Sequence, residues 1–387
     1  MGEGLVRRRH SPPAPAPAPA LEVDDLLREI LLRLPPLPSS LPRASLVCRR
    51  WRRLVSDPAF LRGFRSHHRR SAPLLGVFAV DGFSWAFTPT LDPPDRIPAA
   101  RIPEPWRLLD CRFLGCRDGL ALILLPNRGE AVLWNPVTRE ELLVPTPPGN
   151  VLDGGVLCTS GDVGQLNSIT FMLVFRCAGD GNTSPMVVRV YESESGRWGD
   201  AISASSFGLT RYSLVVGPSV LVGNALCWLI HGRDILQFSL DTQSLAWIYK
   251  PSRLVAESKF QIFQTEDHCL GLVVVSGMSM QLQKRQLNAG GFWRWIIQKN
   301  IQLAEHLPLP PWMRTWGARI YGFAEDKNAI FLSIGSDVFV IQLESMQFRK
   351  LPERLKGSNT YYPFTGLFTT GMGTCGANDG VNLQNNT

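Results

Sequence analysis

Apolar residues recur with helical spacing near the start of the chain. In the stretch DDLLREILLRLPP, Leu27, Ile30 and Leu34 are three or four residues apart, which places them on one face of a helix. Two aspartates at the start suit the positive end of a helix, and the pair Pro35-Pro36 would end it. A first short helix is therefore predicted over this stretch.

A second apolar stripe follows, within the arginine-rich sequence RASLVCRRWRRLVSDPAFL. Its members share one helix face if a helix begins near Ser40, and they are Ala44, Val47, Trp51, Leu54 and Val55. Asp57 and Pro58 have the residue types of a helix N-cap and a first helical position, so a third helix is predicted to begin there. Together these patterns predict a module of three short helices in residues 21–66.

After about residue 73 the helical spacing gives way to short β-rich runs separated by Gly, Pro, Asn and Asp. A unit of apolar strands with a polar turn before its last strand, as in DGLALILLPNRGEAVLWNPVTREELLVP, recurs five times at intervals of roughly 50 residues. That period is typical of a four-stranded propeller blade, and residues 74–370 have room for about six or seven blades. A pair of β-sandwiches is the alternative, but the persistence of the period favours the propeller.

The two patterns predict a multi-domain protein, α at its N-terminus and all-β beyond, joined by a linker at residues 67–73. The Pro/Ala-rich residues 1–20 and the Gly/Asn-rich residues 371–387 lack apolar periodicity and are predicted to be disordered tails. No apolar run approaches the roughly 18 residues needed to cross a bilayer, and the N-terminus lacks the apolar core of a secretory signal. We therefore expect a cytoplasmic or nuclear location, or both, without a membrane partner.

The net charge of +7 is concentrated in the N-terminal part of the chain. Residues 1–70 hold 14 basic and 6 acidic side chains, whereas the rest of the chain holds 26 and 27. Arginines between residues 43 and 70 could therefore bind nucleic acid. The apolar stripe through Val47, Trp51 and Leu54 argues against this, because the arginines fall largely between its members and face away from it.

Motifs of catalysis are missing from the sequence. It holds no Gly-rich phosphate loop, no H-E-x-x-H metal motif and no G-x-S-x-G nucleophile elbow. The adjacent His67 and His68 in RSHHRR are expected on a solvated basic surface. The eight cysteines lie mostly in apolar runs and form no C-x-x-C pair, so buried free thiols are expected. We expect no enzymatic activity, no cofactor and no metal.

Aromatic and loop residues give a further set of expectations. Six tryptophans lie mostly at strand positions and are predicted to pack between blades: Trp134, Trp198, Trp228, Trp247, Trp293 and Trp295. Four loop residues could instead face a ligand on one rim of the propeller: Arg128, Arg197, Arg233 and Trp316. Nothing in the sequence chooses among these four.

The stretches DDLLREILLRLPP and RASLVCRRWRRLVSDPAFL together resemble an F-box across nearly its full length. The resemblance implies a three-helix module that docks on a Skp-type adaptor, which in turn binds a cullin. The docking and packing positions that it implies here are Leu26, Leu27, Ile30, Leu34, Pro35, Val47, Cys48 and Trp51. One departure from the family pattern is Glu22-Val23, where Leu-Pro usually precedes the acidic pair.

Segments such as LWNPVTREELLVP and ILQFSLDTQSLAWI resemble the F-box-associated, kelch-like propeller of plant F-box families, notably those of grasses. The resemblance implies a non-catalytic substrate receptor of a Skp–cullin–F-box ubiquitin ligase, whose propeller recruits a protein substrate of unknown identity. The alternatives are a nucleic-acid-binding protein that uses the arginines of residues 43–70, and a propeller scaffold outside ubiquitination.

Overall fold

The computed structural model describes most of the chain, in nine segments. These are residues 24–81, 84–102, 111–161, 165–178, 187–203, 217–230, 234–251, 258–351 and 360–369. The two predicted tails and the Glu22-Val23 pair lie outside them. In the described part, no helix is both long and apolar enough to cross a membrane.

Four helices, rather than the predicted three, form the N-terminal module. They are α1 (Asp24–Leu32), α2 (Ser40–Ser45), α3 (Arg49–Ser56) and α4 (Pro58–His68). The predicted second helix is divided because Cys48 adopts an extended backbone, and its Sγ accepts a hydrogen bond from the Trp51 backbone N–H at 3.5 Å. Cys48 is thus the N-cap of α3, although it is not one of the usual capping residues.

The predicted start of the last helix of the module is confirmed. The Asp57 carboxylate accepts a hydrogen bond from the Ala59 backbone N–H at 3.0 Å, and Pro58 occupies the first helical position. The helix continues to His68 and passes into a 3-10 turn at Arg69–Ser71. Of the predicted linker, residues 67–73, His67 and His68 complete α4 and Arg69–Ser71 form the turn after it.

The core of the module is a single apolar cluster to which all four helices contribute. Its buried members are Leu27, Leu31, Leu41, Ala44, Leu54, Val55, Phe60 and Phe64. Two ion pairs join helices around this core: Arg28 with Asp57 at 2.9 Å and Arg50 with Asp24 at 2.7 Å. The second pair holds the beginning of α1 beside the beginning of α3.

The described strands of the C-terminal part form six antiparallel sheets, arranged as the blades of a propeller. Blade 1 begins with β1 (Leu74–Asp81) and β2 (Ser84–Pro89). Blade 2 contains β3 (Arg112–Arg117), β4 (Leu120–Leu125), β5 (Glu130–Trp134) and β6 (Glu141–Pro145). Blade 3 contains β7 (Asn150–Ser160), β8 (Thr170–Ala178), β9 (Val187–Glu192), β10 (Arg197–Trp198) and β11 (Ile202–Ser203).

The remaining three blades repeat the four-stranded pattern. Blade 4 contains β12 (Val220–Val222), β13 (Ala225–Ile230), β14 (Asp234–Ser239) and β15 (Ser244–Tyr249). Blade 5 contains β16 (Lys259–Gln264), β17 (Leu270–Ser276), β18 (Ser279–Leu287) and β19 (Trp293–Gln302), and the short helix α5 (Leu303–His306) follows it. Blade 6 contains β20 (Ala318–Ala324), β21 (Ala329–Ile334), β22 (Asp337–Gln342) and β23 (Phe348–Lys350).

The two ends of the propeller meet in blade 1. The last described strand, β24 (Thr360–Thr365), pairs with β1 and becomes the innermost strand of that blade. It contacts β20 of blade 6 on one side and β3 of blade 2 on the other. The predicted propeller is confirmed with six blades, and the ring is closed by pairing between its first and last strands.

The five polar turns that the repeat predicted are the connections between the third and fourth strands of blades 2 to 6. Each contains one residue with a positive φ, in the left-handed region: Arg139, Gly196, Gln243, Gly291 and Met346. Three of these five are not glycine, so the shared backbone of the turns is not visible in the sequence.

The axis of the propeller is closed by Arg117, at the end of β3. Its guanidinium pairs with Glu325 of the turn after β20 at 2.8 Å and donates to the carbonyls of Val156 at 3.0 Å and Ser219 at 3.1 Å. Val156 belongs to blade 3, Ser219 directly precedes blade 4, and Glu325 belongs to blade 6. A Cβ at Gly155 would lie 2.6 Å from the Ser219 side chain and 3.1 Å from the guanidinium, so this position requires glycine. The cavity left beside it, about 30 Å³, is water-sized.

Replacing Arg117 with methionine should destabilise the propeller by about 1–3 kcal/mol, because the partly buried Glu325 carboxylate and the carbonyls of Val156 and Ser219 would lose their partner. The free energy of unfolding can be measured in urea by tryptophan fluorescence. Arg197→Met is the matched control, since Arg197 is an exposed arginine on β10 and should change stability by less than about 0.5 kcal/mol. Equal stability of the two variants would contradict the assigned role of Arg117.

Candidate functional site

Large apolar side chains of the helical module are exposed on α1 and in the connection between α2 and α3. Leu26 and Ile30 lie one turn apart on the outer side of α1, and Leu46 and Val47 lie in the connection. Leu46 is 74% and Val47 is 61% exposed. We call these four residues the apolar patch. The ion pair between Arg50 and Asp24 joins the first turn of α1, next to Leu26, to the first turn of α3, shortly after Val47.

The eight residues predicted to dock or pack divide into two groups. Leu27 is fully buried, and Leu34 and Trp51 are half-buried against the same core, so these three support the module from within. The others lie at the surface: Leu26, Ile30, Pro35, Val47 and Cys48. The surface group is accessible to a partner, and the buried group supports it from within.

Leu46 was not predicted, although it is the most exposed residue of the patch. In a continuous second helix, Leu46 would occupy a helical position. Because the helix breaks before Cys48, Leu46 and Val47 both lie exposed in the connection between α2 and α3. One signal was available: adjacent residues are about 100° apart on a helix, so a narrow apolar stripe through Val47 could not also bury Leu46.

Four of the arginines of residues 43–70 have contacts within the protein, whereas Arg43, Arg49, Arg53 and Arg62 are exposed. Arg50 pairs with Asp24, and Arg52 donates to the Ser45 carbonyl at 3.3 Å. Arg65 and Arg69 instead face the propeller. This arrangement leaves less cationic surface for a phosphate backbone than the sequence indicates.

The module is fastened to the propeller through the end of α4. Arg65 donates to the Thr369 hydroxyl at 3.2 Å, and Arg69 donates to the Cys158 carbonyl at 2.9 Å. Arg69 also lies 3.4 Å from Asp118, in the turn between the first two strands of blade 2. Lys327, in the corresponding turn of blade 6, donates to the Ser71 carbonyl at 3.1 Å. The module therefore covers the propeller face that carries these first turns.

His68 is at the centre of this junction and is only 8% exposed, so the predicted solvated position is wrong for it. Its Nε2 is 2.7 Å from the Leu32 carbonyl at the end of α1, and its Nδ1 is 3.2 Å from the Ser71 hydroxyl. The contact with a carbonyl assigns the proton to Nε2. Burial lowers the pKa of His68, and the hydrogen bond with Leu32 opposes that effect.

A cleft of about 310 Å³ lies between α4 and the propeller. Its charged lining is mixed, with Arg62, Arg65 and Arg69 on one side and Asp118 and Asp326 on the other. In the described segments no group of three His, Cys, Asp or Glu residues is placed to hold a metal ion. The candidate functional site is the apolar patch of the helical module.

The predictions for aromatic and loop residues are only partly confirmed. Trp134 and Trp228 are buried between strands, but Trp293 is 58% exposed on β19 and does not pack between blades. Trp316 is exposed and lies edge-on to Trp312 at 5.4 Å. Arg128 and Arg197 are exposed as well, and Arg233 lies outside the described residues.

Comparison with known proteins matches both parts of the chain. Residues 23–63 match the family described as the F-box domain. Residues 113–367 match the family described as F-box protein AT5G49610-like, beta-propeller. The second match begins within β3 and passes beyond β24, so β1 and β2 precede it.

Individual relatives are more distant. The chain is 24% identical over 307 residues to the F-box/kelch-repeat protein At3g17280 of Arabidopsis thaliana, covering 70% of this chain and 74% of that protein. It is 28% identical over 228 residues to the F-box protein At1g12190 of the same plant, covering 56% and 58%. Among solved structures, the WD40 domain of SCAP from fission yeast shares 13% identity, with coverage of 63% and 50% and a TM-score of 0.35, which is too low to carry an argument.

Leu27→Ala should destabilise the helical module by about 2–5 kcal/mol, because it leaves a cavity in a core that has few other members. Leu26→Ala, one residue away on the exposed side, should cost less than about 0.5 kcal/mol. Hydrogen–deuterium exchange of α1 in the full chain measures both. Equal protection in the two variants would contradict the assignment of Leu27 to the core.

The junction should weaken at acidic pH. The unfolded chain takes up a proton at His68 near its ordinary pKa of 6.5, whereas the folded chain resists it, so stability falls as the pH decreases below that value. His68→Gln keeps a donor for Leu32 and should reduce this dependence, whereas His67→Gln, at an exposed position, should retain it. The unfolding midpoint measured between about pH 7.5 and about pH 5.5 separates these outcomes. Parallel profiles for the two variants would contradict the role of His68.

Proposed function

Because the chain belongs to the F-box proteins with an AT5G49610-like β-propeller, we propose that it is a substrate receptor of a Skp–cullin–F-box ubiquitin ligase. In this proposal the helical module binds a Skp-type adaptor, the adaptor binds a cullin, and the propeller binds a protein substrate. The complex would act in the cytoplasm, the nucleus or both.

The observation that carries the proposal is the apolar patch. The module buries Leu27 and Leu31 completely, so its core does not need the side chains of the patch. Leu26, Ile30 and Val47 are nevertheless exposed. A module of this size has too little core to bury them as well. Four large exposed apolar residues on so small a module are typical of a protein-binding surface. Burial of such side chains in an interface core would provide most of the binding free energy.

Charged residues surround the patch and would orient the adaptor. Asp25 and Glu29 are exposed on α1, and Arg49 and Arg53 are exposed on α3. An apolar centre with a polar rim is the usual anatomy of a protein interface, in which the rim contributes to specificity more than to affinity.

The mechanism in this proposal is tethering, without bond chemistry by this chain. A substrate on the propeller and an adaptor on the module would be held at a fixed separation, because Arg65 and Arg69 fasten α4 to the propeller. The tether raises the effective concentration of the substrate beside the ubiquitin-carrying enzyme.

Val47→Glu should weaken binding to a purified Skp-type adaptor at least about tenfold, because it introduces a charge into the apolar centre of the interface. Ile30→Glu, on the neighbouring helix, should have a similar effect. Affinity is measured by titration calorimetry with the full chain, and circular dichroism verifies that each variant is folded.

The matched control is Leu143→Glu, the same change at an exposed leucine on β6 of the propeller, which should bind the adaptor with unchanged affinity. Wild-type affinity of both patch variants, or failure of the wild-type chain to bind the adaptor, would refute the proposed docking surface.

A further inference from the structure

The outermost strand of blade 5 differs from those of the other blades. β19 is ten residues long, whereas the outermost strands β2 and β15 have six, β6 has five and β23 has three. Its inner edge pairs with β18, and no other described strand pairs with its outer edge. Among the described strands, blade 5 therefore has the longest outer edge, which a bulge at Gln298 interrupts and which no described strand pairs.

The hairpin of β18 and β19 also extends beyond the rest of its blade. β17 pairs with β18 only from Ser279 to Lys284, whereas β18 continues to pair with β19 as far as Leu287 and Trp293. Residues 285–295, which we call the hairpin tip, thus form a two-stranded ribbon without a third strand beneath it.

The hairpin tip and the strand after it carry large apolar side chains that the protein does not bury. Phe292 is 70% and Trp293 is 58% exposed, and Leu287, Ile296 and Ile297 are about half exposed. Leu287, Trp293 and Ile297 lie on one face of the hairpin and Ile296 lies on the other, so exposed apolar side chains are available on both faces for an interaction.

This surface is ordered by contacts from neighbouring side chains. The Arg285 guanidinium lies 4.5 Å from the centre of the Trp293 ring, and the Trp295 indole N–H donates to the Tyr249 carbonyl at 2.9 Å. Lys299 of the same strand donates to the Glu344 carbonyl of blade 6 at 2.8 Å, so β19 is held against both neighbouring blades by side chains. Such preorganisation reduces the entropy lost on binding.

The charge of the hairpin indicates what it binds. Residues 268–304 contain no aspartate or glutamate, and Arg294 and Lys299 are exposed on β19. Two copies of this strand, paired edge to edge, would bring these cations together, which natural edge strands use to discourage self-association. A strand with acidic side chains would be attracted instead.

We propose that the outer edge of β19 binds an extended segment of a partner protein by strand addition, and that this segment alternates apolar and acidic residues. Successive side chains of a strand point to opposite faces, so Trp293, Trp295 and Ile297 share one face and Arg294 lies on the other. An added strand of alternating pattern would place its apolar side chains beside Trp293, Trp295 and Ile297, and its carboxylates beside Arg294.

The inference rests on the proposed function for the role of the segment, which would belong to the substrate of the ligase. Strand addition at β19 does not depend on adaptor docking, because blade 5 contributes none of the residues of the apolar patch. A peptide-binding measurement on the full chain therefore tests it without the adaptor.

The probe is a fluorescein-labelled peptide of alternating valine and glutamate, as long as β19, titrated with the full chain and followed by fluorescence anisotropy. Arg294→Glu should weaken its binding at least about fivefold, because an attraction becomes a repulsion. The same variant should bind a valine–lysine peptide more tightly than the wild-type chain does. Arg197→Glu, at an exposed arginine on the outermost strand β10, is the matched control and should change neither affinity.

Strand addition is tested separately from charge by methylating the peptide backbone at alternate nitrogens. One of the two methylation registers should lose binding at least about tenfold, since it removes the N–H groups that face β19 while keeping every side chain. A peptide of the same composition with its valines and glutamates in separate blocks should bind more weakly than the alternating one.

The proposal is overturned if the alternating peptide does not bind, or if neither Arg294→Glu nor methylation in either register changes its affinity. It is also overturned if sedimentation shows that the chain dimerises and Trp293→Ser abolishes the dimer, because a second copy would then occupy the edge. Val47→Glu should leave peptide binding unchanged, so failure of adaptor docking and failure of strand addition give different results.

Discussion

Closing a ring of six blades brings charged and polar groups from distant parts of the sequence onto one axis, and Arg117 satisfies them together. Its guanidinium joins the carbonyls of Val156 and Ser219 to the carboxylate of Glu325. A buried charge is tolerated only when it is paired and fully hydrogen-bonded. The segments that carry Val156, Ser219 and Glu325 therefore all have to be in position around Arg117. The same turns hold the helical module, because Asp118 and Lys327 are one and two residues away along the chain from the axial pair. The position of the module therefore depends on the closure of the propeller.

The features that repeat along the chain could be predicted, and those made by distant segments could not. The helices around Leu27 and Leu54 and the five polar turns follow from local periodicity, and they are found where the sequence places them. The sixth blade could not be recognised as a repeat because β1 and β24 come from opposite ends of the propeller. The break at Cys48 was missed for a different reason, since a thiol is not a usual helix cap. The residues expected to dock or pack were named as one set, and only the structure separates Leu27, in the core, from Val47, at the surface.

Two expectations held only in part, because composition does not reveal which side of an element faces water. Arg49, Arg53 and Arg62 are exposed, as expected of a solvated face, whereas Arg50, Arg65 and Arg69 join helices or fasten the module to the propeller. Trp134 and Trp228 are buried as packing residues, whereas Trp293 is exposed on the outermost strand of blade 5, where no described strand covers it. In both cases the residue type was informative and the environment was decided by tertiary structure.

The direct passage of α4 into the propeller determines the reach of the proposed ligase. A helix that runs through the junction and is fixed there by His68 and Arg69 transmits orientation as well as distance. A substrate would then be presented to the ubiquitin-carrying enzyme in one pose, without the sweep that a flexible tether allows. The lysine that is modified would depend on its position relative to the bound segment. A protein that binds well but whose lysines point away from the ubiquitin-carrying enzyme would instead compete with substrates.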